Sequence, residues 1–282
     1  MAEKECSSAS SCSRESCEGC PSKQNPQSFQ AEANVYSEIK NVIGIVSGKG
    51  GVGKSMITAS LANLLASRGY RVGILDADIT GPSIPKMYGL RGPAVADDEG
   101  IYPMLTKNDI KVISVNLMMP DEEAPVIWRG PVIAGVVKQF WSDVIWGELD
   151  YLLVDMPPGT GDVPLTVFQS LPVTGIVIVT SPQELVRMIV KKAYNMARTM
   201  NIPVLGIVEN YSWLECPDCG KKISVFGESH IDEIAAGMDL KVLGKMPIDP
   251  KFAAMADGNF AEAENPYLQE AYQTLTILNT LL

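Results

Sequence analysis

Histidine is nearly absent. The chain of 282 residues has one, His230, so chemistry that needs a histidine pair or a His-rich metal site is excluded. His230 itself reads as a surface residue of a late loop or helix. Positive charge is also short: 23 Lys and Arg face 33 Asp and Glu, a formal net charge of -10. That argues against nucleic acid as a partner, because every phosphate contact needs a basic side chain. A local basic pocket for a small phosphate ligand stays open. No run reaches the ~18 apolar residues that would span a bilayer, and MAEKECSSAS at the start has no apolar core behind its charges, so no secretory signal is read there. Six cysteines in that setting are expected to be reduced thiols of a cytoplasmic protein, available to metals rather than disulfides.

What is present divides unevenly. Residues 1–35 are rich in Ser, Cys, Gln and Glu and poor in large aliphatics. Such a stretch cannot offset its ordering entropy by burial, so a flexible extension is expected unless a metal folds it. Residues 36–282 read as one domain. Short apolar runs recur as candidate strands: VIGIVS, RVGILD, KVISVNL, YLLVD, GIVIVTS, VLGIVEN and KVLGKMPI. They are apolar throughout rather than alternating, which suits a parallel sheet covered on both faces. Helical periodicity fills most of the longer gaps. KSMITASLANLLASRGY puts Ile57, Leu61, Leu64 and Leu65 on one face and stops at Gly69. SPQELVRMIVKKAYNMARTMN opens with a Ser-Pro start signal. The expected fold is α/β, a doubly wound, mainly parallel sheet with helices on both faces. The Gly/Pro-rich piece from Gly81 to Asp109 reads as an insertion or meandering connection.

The stretch SGKGGVGKS carries the chemistry. Gly48, Gly53, Lys54 and Ser55 satisfy G-x-x-x-x-G-K-[ST], after a strand and at the opening of a helix, the context this phosphate loop requires. Gly48, Lys49, Gly50, Gly51, Val52, Gly53, Lys54 and Ser55 would wrap the phosphates of ATP. The glycines let backbone N–H groups turn inward, and the helix N-terminus adds its positive dipole end. Lys54 is expected on the β- and γ-phosphates, and the Ser55 hydroxyl on Mg²⁺. Asp155, ending YLLVD, stands where a carboxylate holds that Mg²⁺ through water. Asp162, after PPGTG, is placed to sense the γ-phosphate. Asp76 and Asp78 end another strand, and Asp78 is the candidate to orient or deprotonate the attacking water. A lone Asp at a strand end is more often a cap or a solvated turn, but several here converge on one crevice.

Lys49 is not needed by its own loop. Read alone, it could be a solvated surface lysine. GKGGVGKS, however, resembles the deviant Walker A signature of the nitrogenase iron protein, MinD and ParA group, in which this lysine crosses a two-fold axis to the partner subunit's phosphates. The resemblance implies an ATP-bridged homodimer in which Lys49 acts in trans.

Cys216 and Cys219, in VENYSWLECPDCGKK, form a C-x-x-C turn whose thiolates converge on one metal. One pair supplies two ligands where clusters and structural zinc usually want four, and a two-fold dimer would complete the set. With GKGGVGKS, DADITGPSIP, DMPPGTGD and VENYSWLECPDCG in this order, the chain resembles the Mrp/ApbC family of iron–sulfur cluster carrier ATPases over about residues 40–265. The resemblance implies slow ATP hydrolysis coupled to cluster loading or transfer, and a [4Fe–4S] cluster bridged by Cys216 and Cys219 of two subunits. It further implies cluster-assembly proteins and recipient apo iron–sulfur proteins as partners, and contact of Asn210 with adenine. Asn210 is equally readable as a turn residue closing a strand. CPDCGK also resembles half a zinc ribbon, and spacing alone does not separate zinc from iron–sulfur.

Cys6, Cys12, Cys17 and Cys20 are spaced C-x5-C-x4-C-x2-C. Some eukaryotic relatives in the resembled family hold a second [4Fe–4S] cluster in such an extension, but with the C-x2-C pair preceding a further cysteine. Here the pair comes last, so a second metal site and incidental thiols both remain open. Two other functions share the ATPase. A MinD- or ParA-like positioning protein would use a basic membrane helix, yet NPYLQEAYQTLTILNTLL contains no Lys or Arg, so no membrane partner is expected. A redox ATPase would keep its cluster through repeated oxidation and reduction.

Overall fold

The computed structural model describes residues 30–78, 83–118, 130–159, 161–183 and 186–281. Cys6, Cys12, Cys17 and Cys20 lie outside them. One compact unit spans Ala31–Leu282, and its first residue is held in place: Ala31 N–H donates to Ser170 C=O at 2.8 Å, and Trp141 Nε1–H donates to Ala31 C=O at 2.9 Å.

The strands in chain order are β1 (Ser37–Val46), β2 (Val72–Asp76), β3 (Met104–Leu105), β4 (Lys111–Ser114), β5 (Gly147–Asp155), β6 (Gly175–Thr180), β7 (Val204–Glu209), β8 (Leu214–Glu215), β9 (Lys222–Ile223) and β10 (Val242–Lys245). The helices are α1 (Lys54–Ala66), α2 (Ser83–Tyr88), α3 (Gly130–Ser142), α4 (Asp162–Ser170), α5 (Val186–Thr199), α6 (Ile231–Ala236), α7 (Pro250–Met255) and α8 (Gln269–Leu281). Eight strands form one sheet in the order β10-β7-β6-β1-β5-β2-β4-β3, and β8 pairs with β9 apart from it. All neighbours in the large sheet run parallel except β3 and β4. The mainly parallel sheet expected from the apolar runs is therefore the one that forms, and all seven runs supply strands to it.

The uniform apolarity of those runs has a direct cause. Successive side chains point to opposite faces, and here both faces are covered. On β6, Ile176 and Ile178 enter one core with Phe140 of α3, Val167 of α4 and Val190 of α5. Val177 and Val179 enter the other, with Leu61 of α1 and Leu275 of α8. Trp146 is fully enclosed in the first core, and its indole N–H donates to Phe140 C=O at 3.0 Å. Truncating a ring buried in this way to Ala costs about 3–5 kcal/mol.

Two expectations are modified. Helix α1 was expected to bury one face, but Ile57 through Asn63 and Leu65 are all buried, because the helix is enclosed by the sheet, α2 and α8. Leu64 is only half-buried. The chain leaves α1 as expected at Gly69, whose φ of +86° suits glycine. The Gly81–Asp109 connection contains α2 and the antiparallel edge strand β3. Tyr88 anchors this segment, its hydroxyl donating to Asn63 Oδ1 at 2.8 Å.

The topology reverses at β1. The chain passes from β1 through α1 to β2 and β4, returns to place β5 between β1 and β2, and then adds β6 on the other side. The crevice at the carboxyl end of β1 is where open α/β sheets hold their ligands.

Candidate nucleotide site and cysteine turn

Register builds the site. Asp155 is the lateral partner of Ile45 on β1 and of Asp76 on β2, so the phosphate loop and both acidic strand ends meet at one level. Gly51 and Gly53 have φ of +77° and +78°, values that turn the loop sharply into the first residue of α1. Lys54 Nζ lies 2.7 Å from Asp155 Oδ1 and 3.5 Å from Asp78 Oδ2. Ser55 Oγ–H donates to Asp155 Oδ2 at 2.5 Å, and Thr58 Oγ1–H donates to Asp155 Oδ1 at 2.9 Å. Three side chains from the first turns of α1 therefore converge on one carboxylate that is wholly buried.

Burial alone would lower the Lys54 pKa. The charge of Asp155, its hydrogen bond to the ammonium, and the charges of Asp78 and Asp76 outweigh burial and hold it above the ordinary lysine value. The Asp76 pKa is raised as well, which for a carboxyl group favours the neutral form. Burial, then repulsion from Asp155, push its pKa well above the usual range, against Lys54, the Ser114 hydroxyl and the Asp78 N–H. Ser114 Oγ–H donates to Asp76 Oδ2 at 3.0 Å, and Asp78 N–H donates to Asp76 Oδ1 at 3.1 Å.

A cleft of about 520 Å³ opens over the loop, lined by Gly50 through Met56 with Asp78, Lys86, Pro158 and Asp257 among others. Gly159 N–H donates to Ser47 C=O at 2.8 Å, tying the loop after β5 to the phosphate loop. Asp162 opens α4 at the end of that loop.

Lys49 is not among the residues lining this cleft. Its ammonium donates to Gln183 Oε1 at 2.6 Å, exposed to solvent. Asn210 follows β7 and is fully buried. Its Nδ2 donates to Val52 C=O at 3.0 Å, and its Oδ1 accepts from Tyr211 N–H at 2.9 Å. The sequence signal for Asn210 thus leads to the phosphate loop itself, through a side chain that holds one of its carbonyls. Thr58 and Gln183 were not anticipated. For Thr58 the available signal was a hydroxyl one turn after Lys54 on the same helix face.

Cys216 and Cys219 sit in the turn between β8 and β9, both free thiols, Cys216 half-buried and Cys219 exposed. Cys216 N–H donates to Lys221 C=O at 3.0 Å, and Gly220 N–H to Cys216 C=O at 2.9 Å. Gly220 has φ +69°, which closes the turn. The backbone N–H groups of Cys219 and Asp218, with the Cys219 thiol, lower the Cys216 pKa below that of an ordinary thiol, favouring the thiolate that binds metal. Among the described residues no group of three or more His, Cys, Asp or Glu is placed to hold a metal ion. The turn therefore offers two ligands and no more from those residues. His230 is exposed, its Nδ1 3.8 Å from Glu233 Oε2. No helix among the described residues is long and apolar enough to cross a membrane.

An iron-sulfur cluster carrier protein of Clostridium perfringens is 47% identical over 281 residues, covering 96% of this chain and 98% of the relative. A nucleotide-binding protein of Archaeoglobus fulgidus, solved in complex with ADP and with cobalt present, is 44% identical with a TM-score of 0.72, covering 82% of this chain and 94% of that one. The cell division ATPase MinD of Pyrococcus furiosus shares the fold, with a TM-score of 0.62 at 22% identity over 86% of this chain and 99% of that one. Residues 38–281 match the family described as ParA, NUBPL iron-transfer P-loop NTPase, and the chain belongs to that family.

Proposed function

We propose that this protein is an ATP-dependent iron–sulfur cluster carrier. It would assemble a [4Fe–4S] cluster between the Cys216/Cys219 turns of two copies and hand it to apoproteins. The observation that carries this reading is the two-cysteine turn, with a lowered thiol pKa, on a P-loop domain whose 47%-identical relative is a named cluster carrier. Two thiolates leave half of a four-ligand set to be supplied. A second copy supplies it with the same geometry through a two-fold axis.

The donor set fits Mg-ATP. Ser55 and Asp155, already in contact, would hold Mg²⁺ directly and through water, and the bound ion would neutralise charge developing on the phosphates. Lys54, kept charged by its acidic neighbours, would take the β- and γ-phosphates, and the N–H groups of Gly48–Ser55 would face the same oxygens. Asp78 would orient the attacking water, with Asp162 answering to the γ-phosphate. Lys49, outside the cleft of its own chain, would leave Gln183 and reach the phosphates of the second copy. Asn210 would border the adenine side while holding Val52. Hydrolysis would be slow and coupled to loading or release of the cluster. The extension expected over residues 1–35 would be shorter, ending before Ala31, which is hydrogen-bonded into the domain, and in it Cys6, Cys12, Cys17 and Cys20 would form a second cluster site.

Anaerobic reconstitution with iron and sulfide tests this, comparing wild type, Cys216→Ala/Cys219→Ala and a chain lacking residues 1–29 by absorbance, EPR and metal analysis. The expected result is a cluster in wild type that the double substitution abolishes. The truncation should lower the iron count without removing the bridging cluster. Zinc as the only bound metal would overturn the carrier reading.

A further inference from the structure

The phosphate loop and the cysteine turn are joined by one short strip of chain. Asn210, at its start, donates to Val52 C=O at 3.0 Å, and Cys216, at its end, is the first thiol. Gly53 presses against the same strip: a Cβ there would stand 2.2 Å from Asn210 Nδ2 and 3.0 Å from Tyr211 Oη. Tyr211 itself has φ +61°. That left-handed backbone is rare for a bulky residue and marks a strained position.

Beyond Tyr211 the strip has little slack. Ser212 N–H donates to Met246 C=O at 2.8 Å, and Ile248 N–H donates to Trp213 C=O at 2.7 Å. Leu214 forms a parallel bridge with Ile248. The Lys222 ammonium lies 4.3 Å from the centre of the Trp213 ring, which ties β9 to the root of β8. These contacts join the backbone after Tyr211 to both strands that present Cys216 and Cys219.

We propose that Tyr211 is a positioning residue that relays the state of the phosphate loop to the cysteine turn within one chain. Binding of phosphates requires the loop's N–H groups to face inward, which fixes the Val52 and Gly53 peptides against Asn210 and the Tyr211 ring. The ring contact with Gly53 and the Tyr211 N–H donated to Asn210 Oδ1 at 2.9 Å together hold that strained backbone. Its relaxation toward the extended region would turn the peptide leading into Ser212, release the Ser212 N–H from Met246 C=O, and re-aim the turn. The relay rests on the carrier reading for its purpose, but it operates without a cluster and without a second copy.

The test uses the full chain, reduced and free of metal. The iodoacetamide alkylation rates of Cys216 and Cys219 are measured peptide by peptide, with and without saturating magnesium and a non-hydrolysable ATP analogue. In wild type the nucleotide is expected to change the Cys216 rate about fivefold, the low end of ordinary coupling between sites. Tyr211→Asn tolerates the left-handed backbone but lacks the ring, and should abolish the nucleotide response while its melting temperature stays within about 2 °C of wild type. Tyr211→Phe, which keeps the ring on Gly53, should retain the response.

A wild-type rate indifferent to nucleotide, or a Tyr211→Asn chain with the full response, overturns the relay. If Tyr211→Asn does not fold, hydrogen exchange of the wild-type 211–216 amides decides: nucleotide-dependent exchange supports the relay and unchanged exchange overturns it. The outcomes separate from those of the carrier reading. Cluster assembly with nucleotide-blind thiols sinks only the relay, and zinc-only binding with responsive thiols sinks only the carrier.

Discussion

Lys54 and Asp155 are paired at 2.7 Å with side chains 6% and 0% exposed, and Asp76 lies beside Asp155 on the adjacent strand. One ammonium thus serves a group of buried carboxyls, and its removal leaves that charge uncompensated. Lys54→Ala is expected to destabilise the protein by about 3–5 kcal/mol in urea unfolding, the usual cost of orphaning a buried charge, and to abolish Mg-ATP binding. The sign of the pH dependence follows. In wild type the raised Lys54 pKa stabilises the fold below the ordinary lysine value of 10.5, and this contribution is lost as pH rises through the higher folded value. In the variant the deficit should shrink toward acid pH, because Asp76 is already pushed toward its neutral form. A deficit that does not shrink as the pH is lowered would contradict this account.

Gly53 is constrained twice, by its φ of +78° and by Asn210 Nδ2 at 2.2 Å from any added Cβ. Asn210 is fully buried with both amide atoms engaged, so it has no room to withdraw. Gly53→Ala should cost about 1–3 kcal/mol from the strained backbone, with further loss from the displaced amide. Calorimetry should show the lowered melting temperature together with weakened nucleotide binding. Gly51→Ala shares the positive φ but meets nothing within 4 Å, and should be the milder of the two. Equal effects would remove Asn210 from the explanation.

The parts legible in sequence are those set by local pattern. The seven apolar runs became strands because each buries both faces, as Ile176 and Val177 do in opposite cores. Lys54, Ser55 and Asp155 were readable because their spacing is fixed by the loop and by a strand end. What escaped depends on contacts across the chain. Thr58 reaches Asp155 across 97 positions and Asn210 reaches Val52 across 158, and no periodicity encodes either. Strands β3, β8 and β9 are two residues each, too short for alternation to show. The depth to which α1 is buried was hidden for a related reason: Ala59, Ser60 and Ala62 are small residues that read as a neutral face until α2 and α8 close over them.

At the amino end of β5, Asp150 gathers Lys40 Nζ at 2.9 Å, Arg71 N–H at 2.9 Å and the Arg71 guanidinium at 3.3 Å. Burial alone would raise its pKa, but these hydrogen bonds, led by Arg71, bring it down to about 2 from 3.8. A depressed carboxyl pKa stabilises the fold above the unfolded value, and the contribution is lost as pH falls through the folded one. Asp150→Asn should therefore lower the melting temperature at neutral pH, by an amount equivalent to roughly 1–3 kcal/mol. The difference from wild type should fade between pH 4 and pH 2, the window bounded by those two values. A difference that persists unchanged at pH 2 would assign the loss to packing rather than charge.

Lys49 gives the sharpest separation between a role in the single chain and a role in an assembly. Its hydrogen bond to Gln183 is solvent-exposed, and such bonds contribute about 0–1 kcal/mol. Lys49→Ala should leave the melting temperature unchanged and should leave nucleotide binding to the isolated chain intact, because the cleft is lined without it. If Lys49 acts on the phosphates of a second copy, the same substitution should lower ATP turnover at least 10³-fold, the order expected when a cation supplied to the transition state is lost. ATP-dependent dimerisation, followed by light scattering, should fail in parallel. Gln183→Ala should have the opposite signature, since it frees the lysine without removing it, and its turnover should equal or exceed that of wild type. Turnover preserved in Lys49→Ala would confine the lysine to the surface contact seen with Gln183.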